Sequence, residues 1–222
     1  MIFNLGSINA DHFYRVTEFP KLGETLSALS YSKGLGGKGA NQSVAIAKAG
    51  SKVCHIGRIG VDGAWLRDTM ESFGVDMTHT ETDPNHPTGH AIINIDQNGE
   101  NQIVLHPGAN HQISETQIET AFRDVGSDDW LVAQNETNLV TFAAAMMKEK
   151  GGKVAYSPAP FVADMCLEVL PFVDILAVNE GEASALTKSM GVSDAGGLNV
   201  PTVVMTKGSQ GGTGFHNGTQ IE

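Results

Sequence analysis

Apolar and polar positions along this chain follow two alternating periods. Runs rich in β-branched residues at Ile2–Ile8, Lys52–Ile56, Trp130–Ala133, Lys153–Tyr156, Val173–Val178 and Thr202–Thr206 predict strands. Between them, apolar residues of helical period predict helices over Ala40–Ala49, Ala64–Phe73, Ser114–Phe122, Asn138–Lys148 and Glu180–Thr187. Strands that alternate with helices build βαβ units around a mostly parallel sheet, so the fold class is α/β. Two regions break the pattern. "TGHAIINIDQNGENQIVLH", Thr88 to His106, places two strand-like runs around Asn98-Gly99, a dipeptide suited to the positive φ angles of a tight hairpin. Asp11 to Lys33 also alternates without helical period. Segments of about 12–33 and 88–106 are therefore expected to leave the main sheet and pair as a small antiparallel flap. Such a flap would cover the carboxyl ends of the parallel strands, where open α/β sheets bind ligands.

Composition narrows the class. A chain of 222 residues with 41% hydrophobic residues can bury one full core, which suits a single domain over residues 1–222. Lys and Arg number 14 against 25 Asp and Glu, a net charge of −11, which excludes nucleic acid and anionic membrane as main partners because either needs a basic face. No apolar run approaches the roughly 20 residues that span a bilayer, and "MIFNLGSINAD" has neither the basic region nor the long apolar segment of a signal peptide, so a soluble cytoplasmic protein is expected. Cys54 and Cys166 stand alone in apolar runs and read as buried thiols. The eight histidines show no metal-ligand spacing.

The candidate chemistry centres on "GLGGKGANQSVAIAKAG", Gly34 to Gly50, a glycine loop that opens a helix. Its GxGxxG string would mark a dinucleotide site only if it directly followed a strand in a compact βαβ unit, yet the predicted strand ends near Ile8 and the next closes on Gly57-Arg58, where a ribose-binding acid should stand. A phosphate-binding P-loop needs Ser or Thr after its lysine, whereas Lys38 precedes Gly39 and Ala40. What remains is a loop whose glycines admit a small polar ligand to the backbone, with Lys38 and Asn41 supplying hydrogen bonds suited to vicinal hydroxyls.

"GGKGANQSVAIAKAG", "GSINAD" near the start and "VNEGEA" further on, together with "HPGAN", "SPAP" and "VVMTKGSQGG" in the same order, resemble the PfkB family of sugar kinases, and within it the ribokinases, along essentially the whole chain. The resemblance implies a three-layer α/β/α sandwich with a β-flap, and ATP-dependent phosphorylation of the primary hydroxyl of a pentose, D-ribose before others. It implies that Asn9, Asp11, Gly37, Lys38, Asn41 and Glu136 bind the sugar, and that Asn179, Thr206, Gly208 and Gly211 line ATP. Glu182 is implied to organise Mg²⁺ through water, K⁺ or another monovalent cation is a possible further cofactor, and a homodimer through the flap is the implied assembly. The residue types make physical sense: carboxylates accept from adjacent hydroxyls, and phosphoryl transfer needs positioning and a metal more than covalent help. Asp11 also suits a turn cap, and Asn179 with Glu182 an N-cap and first-turn acid, a role compatible with the metal one.

The sequence departs from the family pattern twice. The family's catalytic aspartate, adenine pocket and cation site lie past "FHNGTQIE", so no residue takes the base's role, and either a piece of a longer chain or an inactive relative is expected. Between Met190 and Pro201, "GVSDAGGLNV" leaves no room for a connecting helix, a task that then falls to Glu180–Thr187. Two rivals stand beside the kinase: a non-catalytic sugar-binding relative and, from the GxGxxG string, a nicotinamide-dependent oxidoreductase.

Overall fold

The computed structural model describes residues 1–221. In chain order its elements are β1 (Ile2–Leu5), β2 (Asn9–Arg15), β3 (Ser30–Gly36), α1 (Lys38–Lys48), β4 (Val53–Gly60), α2 (Ala64–Ser72), β5 (Thr80–Asp83), β6 (Gly89–Ile95) and β7 (Asn101–His106). Then follow α3 (Glu115–Ala121), β8 (Trp130–Gln134), α4 (Val140–Glu149), β9 (Lys153–Ser157), α5 (Ala163–Val169), β10 (Ile175–Asn179), α6 (Glu180–Met190), β11 (Thr202–Thr206), β12 (Gly212–His216) and β13 (Thr219–Ile221). Nine strands form the main sheet in the order β13-β12-β11-β10-β9-β8-β1-β4-β5, parallel from β5 to β11, with an antiparallel β11-β12-β13 edge.

Alternation along the strands sends side chains to two cores. Leu5, Leu131, Ala133, Val154, Tyr156, Leu176 and Val178 pack with Phe122, Ala143, Met147, Cys166 and Leu186 from α3 to α6 and their flanks. On the other face Ile8, Val53 and Ile59 meet Ala40, Leu66 and Met70 from α1 and α2. Both thiols are free and buried, and burial pushes Cys54 up to about 12, as a packed rather than reactive cysteine requires.

Several expectations are corrected by the coordinates. The flap is a separate four-stranded sheet, β3-β2-β6-β7, and it is mixed: β2 pairs with β3 antiparallel but with β6 in parallel. The first strand, expected over Ile2–Ile8, closes at Leu5, and Asn9 and Asp11 belong to β2 of this lid. Gly34 and Gly36 are the closing residues of a strand, but that strand is the antiparallel β3, so the string lies outside any βαβ unit. At Asn98-Gly99 only Gly99 takes positive φ; its N–H donates to the Asp96 carbonyl, and Asp96 and Glu100 close a three-residue loop instead of a two-residue turn. The two-residue turn belongs to Asn217-Gly218, both at positive φ, between β12 and β13. The connection from β10 to β11 is complete: α6 runs on to Met190, caps with Gly191 at φ 67°, and a 3₁₀ turn at Ala195–Leu198 finishes the crossover.

Candidate sugar and nucleotide site

The implied binding residues gather toward the edge where β1, β8, β10 and β11 end; of the sugar-binding set Asn9, Lys38 and Glu136 line a cleft there, while Asp11, Gly37 and Asn41 stand outside its lining. The cleft, of about 370 Å³, opens between that edge and the lid, lined by Ser7, Asn9, Lys38, Asn110, Asn135 and Glu136, with Leu105 from the lid above them. Its floor is built by close backbone approach. Gly6, after β1, and Gly39, in the first turn of α1, touch, and a methyl group on Gly39 would stand 2.5 Å from Ser7 N and nearer still to Gly6 Cα. Gly37 adopts φ 92°, which admits only glycine readily, and the Ala40 N–H donates to the Ser7 carbonyl at 2.8 Å.

Glu136, just past β8, is the hub. Its Oε1 takes the Lys38 ammonium at 2.7 Å, while Oε2 accepts from Lys38 N at 2.9 Å and from the Ser7 hydroxyl. The backbone bond places a carboxylate on the positive end of α1, where no side chain of the helix itself caps it. Glu136 thus lines the cleft as expected, but much of its accepting capacity goes to holding Lys38 and Ser7. Asp11 differs. Its half-buried carboxylate lies against Gly36, which has no room for a side chain, and makes no hydrogen bond among the described residues. Burial first, and the Glu136 charge second, raise its pKa above the usual aspartate value, with Lys38 opposing. Asn41 is exposed on α1, and its side chain enters no hydrogen bond among the described residues.

Beneath this floor lies a buried polar network that no sequence pattern announces. Asn4 Nδ2 donates to the Gly39 carbonyl and to Ser43 Oγ, both at 2.8 Å; Ser43 donates to His55 Nδ1; and His55 Nε2 donates to the Gly6 carbonyl. Gln134 Nε2 bonds Asn4 Oδ1 and Gln42 Oε1. The network ties β1, α1, β4 and β8 together directly below the loop. His55 is fully buried and burial holds its pKa down at about 4, so it stays neutral. An unfolded histidine titrates near 6.5, so between about 6.5 and 4 the unfolded chain binds the extra proton and stability falls as pH falls. We expect about 3 kcal/mol of stability to disappear across that window and His55→Phe to flatten the loss, as urea denaturation at stepped pH will read.

The nucleotide-side residues gather around α6. The β10–β11 register sets Asn179 opposite Thr206, and Gly208 and Gly211, both at positive φ, form the open turn that follows. Glu136, just past β8, and Asn179, the last residue of β10, belong to strands two apart in the sheet, about 10 Å at ordinary strand spacing. Asn179 and Glu182 form a reciprocal capping box: Asn179 Oδ1 accepts from Glu182 N at 2.9 Å, and Glu182 Oε2 accepts from Asn179 N at 2.8 Å. Asn179→Ala should therefore cost about 1 kcal/mol in denaturant titration, independently of any ligand. Among the described residues no group of three or more His, Cys, Asp or Glu is placed to hold a metal by itself. Glu182 Oε1 takes no hydrogen bond among them, and a single carboxylate suits Mg²⁺, which keeps waters and shares phosphate oxygens.

With this geometry in view, comparison with known proteins gives a match to the pfkB family carbohydrate kinase description along residues 1–222. The chain belongs to the pfkB family. It is 42% identical over 189 residues to a ribokinase of Haemophilus influenzae, covering 82% of this chain and 61% of that protein. It is 35% identical to a deoxyribokinase of Salmonella typhi, with the same coverage of each. The chain thus spans about 61% of the length of these relatives. The structure of Arabidopsis thaliana ribokinase complexed with ribose and ATP superposes with a TM-score of 0.86 at 30% identity, over 100% of this chain and 76% of that one. The fold is accordingly ribokinase-like, a mostly parallel sheet between helical layers. Ser7, Asn110 and Asn135 were missed as site residues; "HPGAN" and "SPAP" marked two of the segments that close on the cleft, and Ser7 carried no signal beyond its place in "GSINAD".

Proposed function

We propose that this chain carries the sugar site and part of the nucleotide site of an ATP-dependent kinase acting on the primary hydroxyl of a pentose, D-ribose to ribose 5-phosphate. The observation that carries the reading is the Asp11 carboxylate: half-buried, on the lid face it shares with Asn9 and Leu105 of the cleft, and without a hydrogen-bond partner among the described residues. Adjacent sugar hydroxyls donate two hydrogen bonds to such a group, and Asn9 and Lys38 supply donors for the remaining oxygens. The likeness to ribokinases, one of them complexed with ribose and ATP, supports the pentose and the nucleotide. Closure of the lid would exclude water from the transfer step.

In this reading Asn179, Thr206 and the Gly208–Gly211 turn face the phosphates, and Glu182 holds Mg²⁺ through water. The metal spreads charge on the transferring phosphoryl group when bound. No residue of this chain is assigned as the base. Exposed Tyr31 and Val104, on the lid face turned away from Leu105 and the cleft, favour a homodimer through that surface. No helix of the described residues is long and apolar enough to cross a membrane, and a cytoplasmic site of action accords with sugar and ATP as substrates.

The deoxyribokinase relatives support a second reading, 2-deoxyribose as acceptor. The test combines calorimetric binding of D-ribose and 2-deoxyribose with ADP formation from Mg-ATP in the presence of each and of no sugar. Ribose binding with ribose-dependent ADP supports the kinase; binding without ADP leaves a sugar-binding relative; a preference for 2-deoxyribose selects the second acceptor; and silence in both assays sinks the sugar reading.

A further inference from the structure

Ile8 sits in the break between β1 and β2, where no strand pairs with it. Its backbone is satisfied by one side chain. Asn110 Oδ1 accepts from Ile8 N at 2.9 Å, and Asn110 Nδ2 donates to Ile8 O at 3.2 Å, so the amide imitates a neighbouring strand. A backbone N–H can only donate and a carbonyl can only accept, which fixes the orientation of the Asn110 amide without ambiguity. The second Nδ2 hydrogen then falls on Asn9 Oδ1 at 2.8 Å. That bond uses the acceptor end of Asn9. Its Nδ2 has no partner among the described residues, and Asn9 lines the cleft.

We propose that Asn110 is a specificity-determining positioning residue: it turns the Asn9 amide so that the cleft is offered hydrogen-bond donors alone at that position. The ligand group beside Asn9 must therefore present lone pairs, as a hydroxyl or ring oxygen does, while Asp11, two residues along the same face of β2, requires a donor. The inference rests on the sugar reading for its ligand but on the apo geometry for its mechanism. The surroundings leave the pair little freedom. Asn110 is 1% and Asn9 3% exposed, and a methyl on Gly89 would stand 2.5 Å from Asn9 Oδ1 and 2.8 Å from the Pro107 carbonyl, so the roots of β2, β6 and the segment after β7 close around the two amides.

Side-chain amide exchange measured by NMR on the whole chain tests this first in the parent, where no mutant need fold, and then in a variant. The Asn110 NH₂ should exchange slowly, both hydrogens being bonded, and the Asn9 NH₂ at least tenfold faster. Asn110→Asp keeps the acceptor for Ile8 N and presents a second oxygen to Asn9, so the Asn9 amide turns and its NH₂ exchange slows at least tenfold. Adding D-ribose should slow Asn9 NH₂ exchange in the parent chain and leave it unchanged in the variant. A protected Asn9 NH₂ in the parent, or no change of Asn9 in Asn110→Asp, overturns the proposal. The expected exchange pattern with no resonance responding to ribose supports the orientation and instead removes the pentose reading.

Discussion

Gly39→Ala unfolds at much lower denaturant than the parent chain, by an expected 3 kcal/mol or more, and loses the cleft geometry with the stability. The direction is opposite to what local preference dictates. Gly39 is the second residue of α1, and alanine is the better helix former by about 1 kcal/mol. The tertiary contact reverses the sign, because the added methyl would stand 2.5 Å from Ser7 N and overlap Gly6. Relief requires α1 to withdraw from the β1–β2 connection. That movement breaks the Asn4 bond to the Gly39 carbonyl and the Ala40 bond to Ser7, and carries Lys38 away from Glu136. Urea denaturation decides: a midpoint at or above the parent's would mean that helix propensity governs and that the close approach is unimportant. Gly6→Ala meets the same obstacle from the other side, since its methyl would lie 2.5 Å from Gly39 Cα.

Asp11→Asn should have the contrary signature, with stability unchanged or slightly raised and D-ribose affinity lowered on the order of 10²-fold. A half-buried carboxylate whose pKa is raised by burial and by Glu136 destabilises the folded chain at neutral pH, and the neutral amide removes that cost. The same amide offers one acceptor oxygen where the carboxylate offered two, and sets an NH₂ against a ligand hydroxyl. The raised pKa also fixes the pH dependence. Protonation of Asp11 begins at higher pH than for an ordinary aspartate, so ribose binding should weaken on acidification before exposed carboxylates titrate. Calorimetry across pH, with thermal melting of both chains, separates this from a turn-cap role: a large drop in melting temperature with ribose affinity intact would assign Asp11 to structure.

Parts of the site were legible because they depend on backbone chemistry that few residue types allow. Gly37 at φ 92° and the Gly6–Gly39 contact demand glycine, so the loop announces itself in sequence. The cap that Asn179 and Glu182 suit, beside their implied ATP and Mg²⁺ roles, is present, since a capping box is local and spans four residues. The parallel sheet was legible from its alternating periods. Less was visible where partners are distant in sequence. The lid was expected to be wholly antiparallel, but the β2–β6 pair joins segments some eighty positions apart and only the fold sets its direction. The tight turn was placed at Asn98-Gly99, whereas Asp96 accepts from Asn98 and Glu100 backbone N–H groups and stabilises a bulged loop there.

The sequence by itself determined the α/β class, the glycine loop at the mouth of α1, the capping of α6 and the residue types a sugar requires, because each follows from propensity, periodicity or short-range geometry. Only the tertiary structure decided that Glu136 holds Lys38 and Ser7, that Asp11 is left without a partner, that His55 lies neutral beneath the loop, and that Asn110 reaches back to Ile8 and Asn9. Those pairings span from 12 residues between Ser43 and His55 to 129 between Ser7 and Glu136. Periodicity carries no information about which buried donor will meet which acceptor at such separations; that is settled when the strands take their order in the sheet and bring most buried polar groups to a partner.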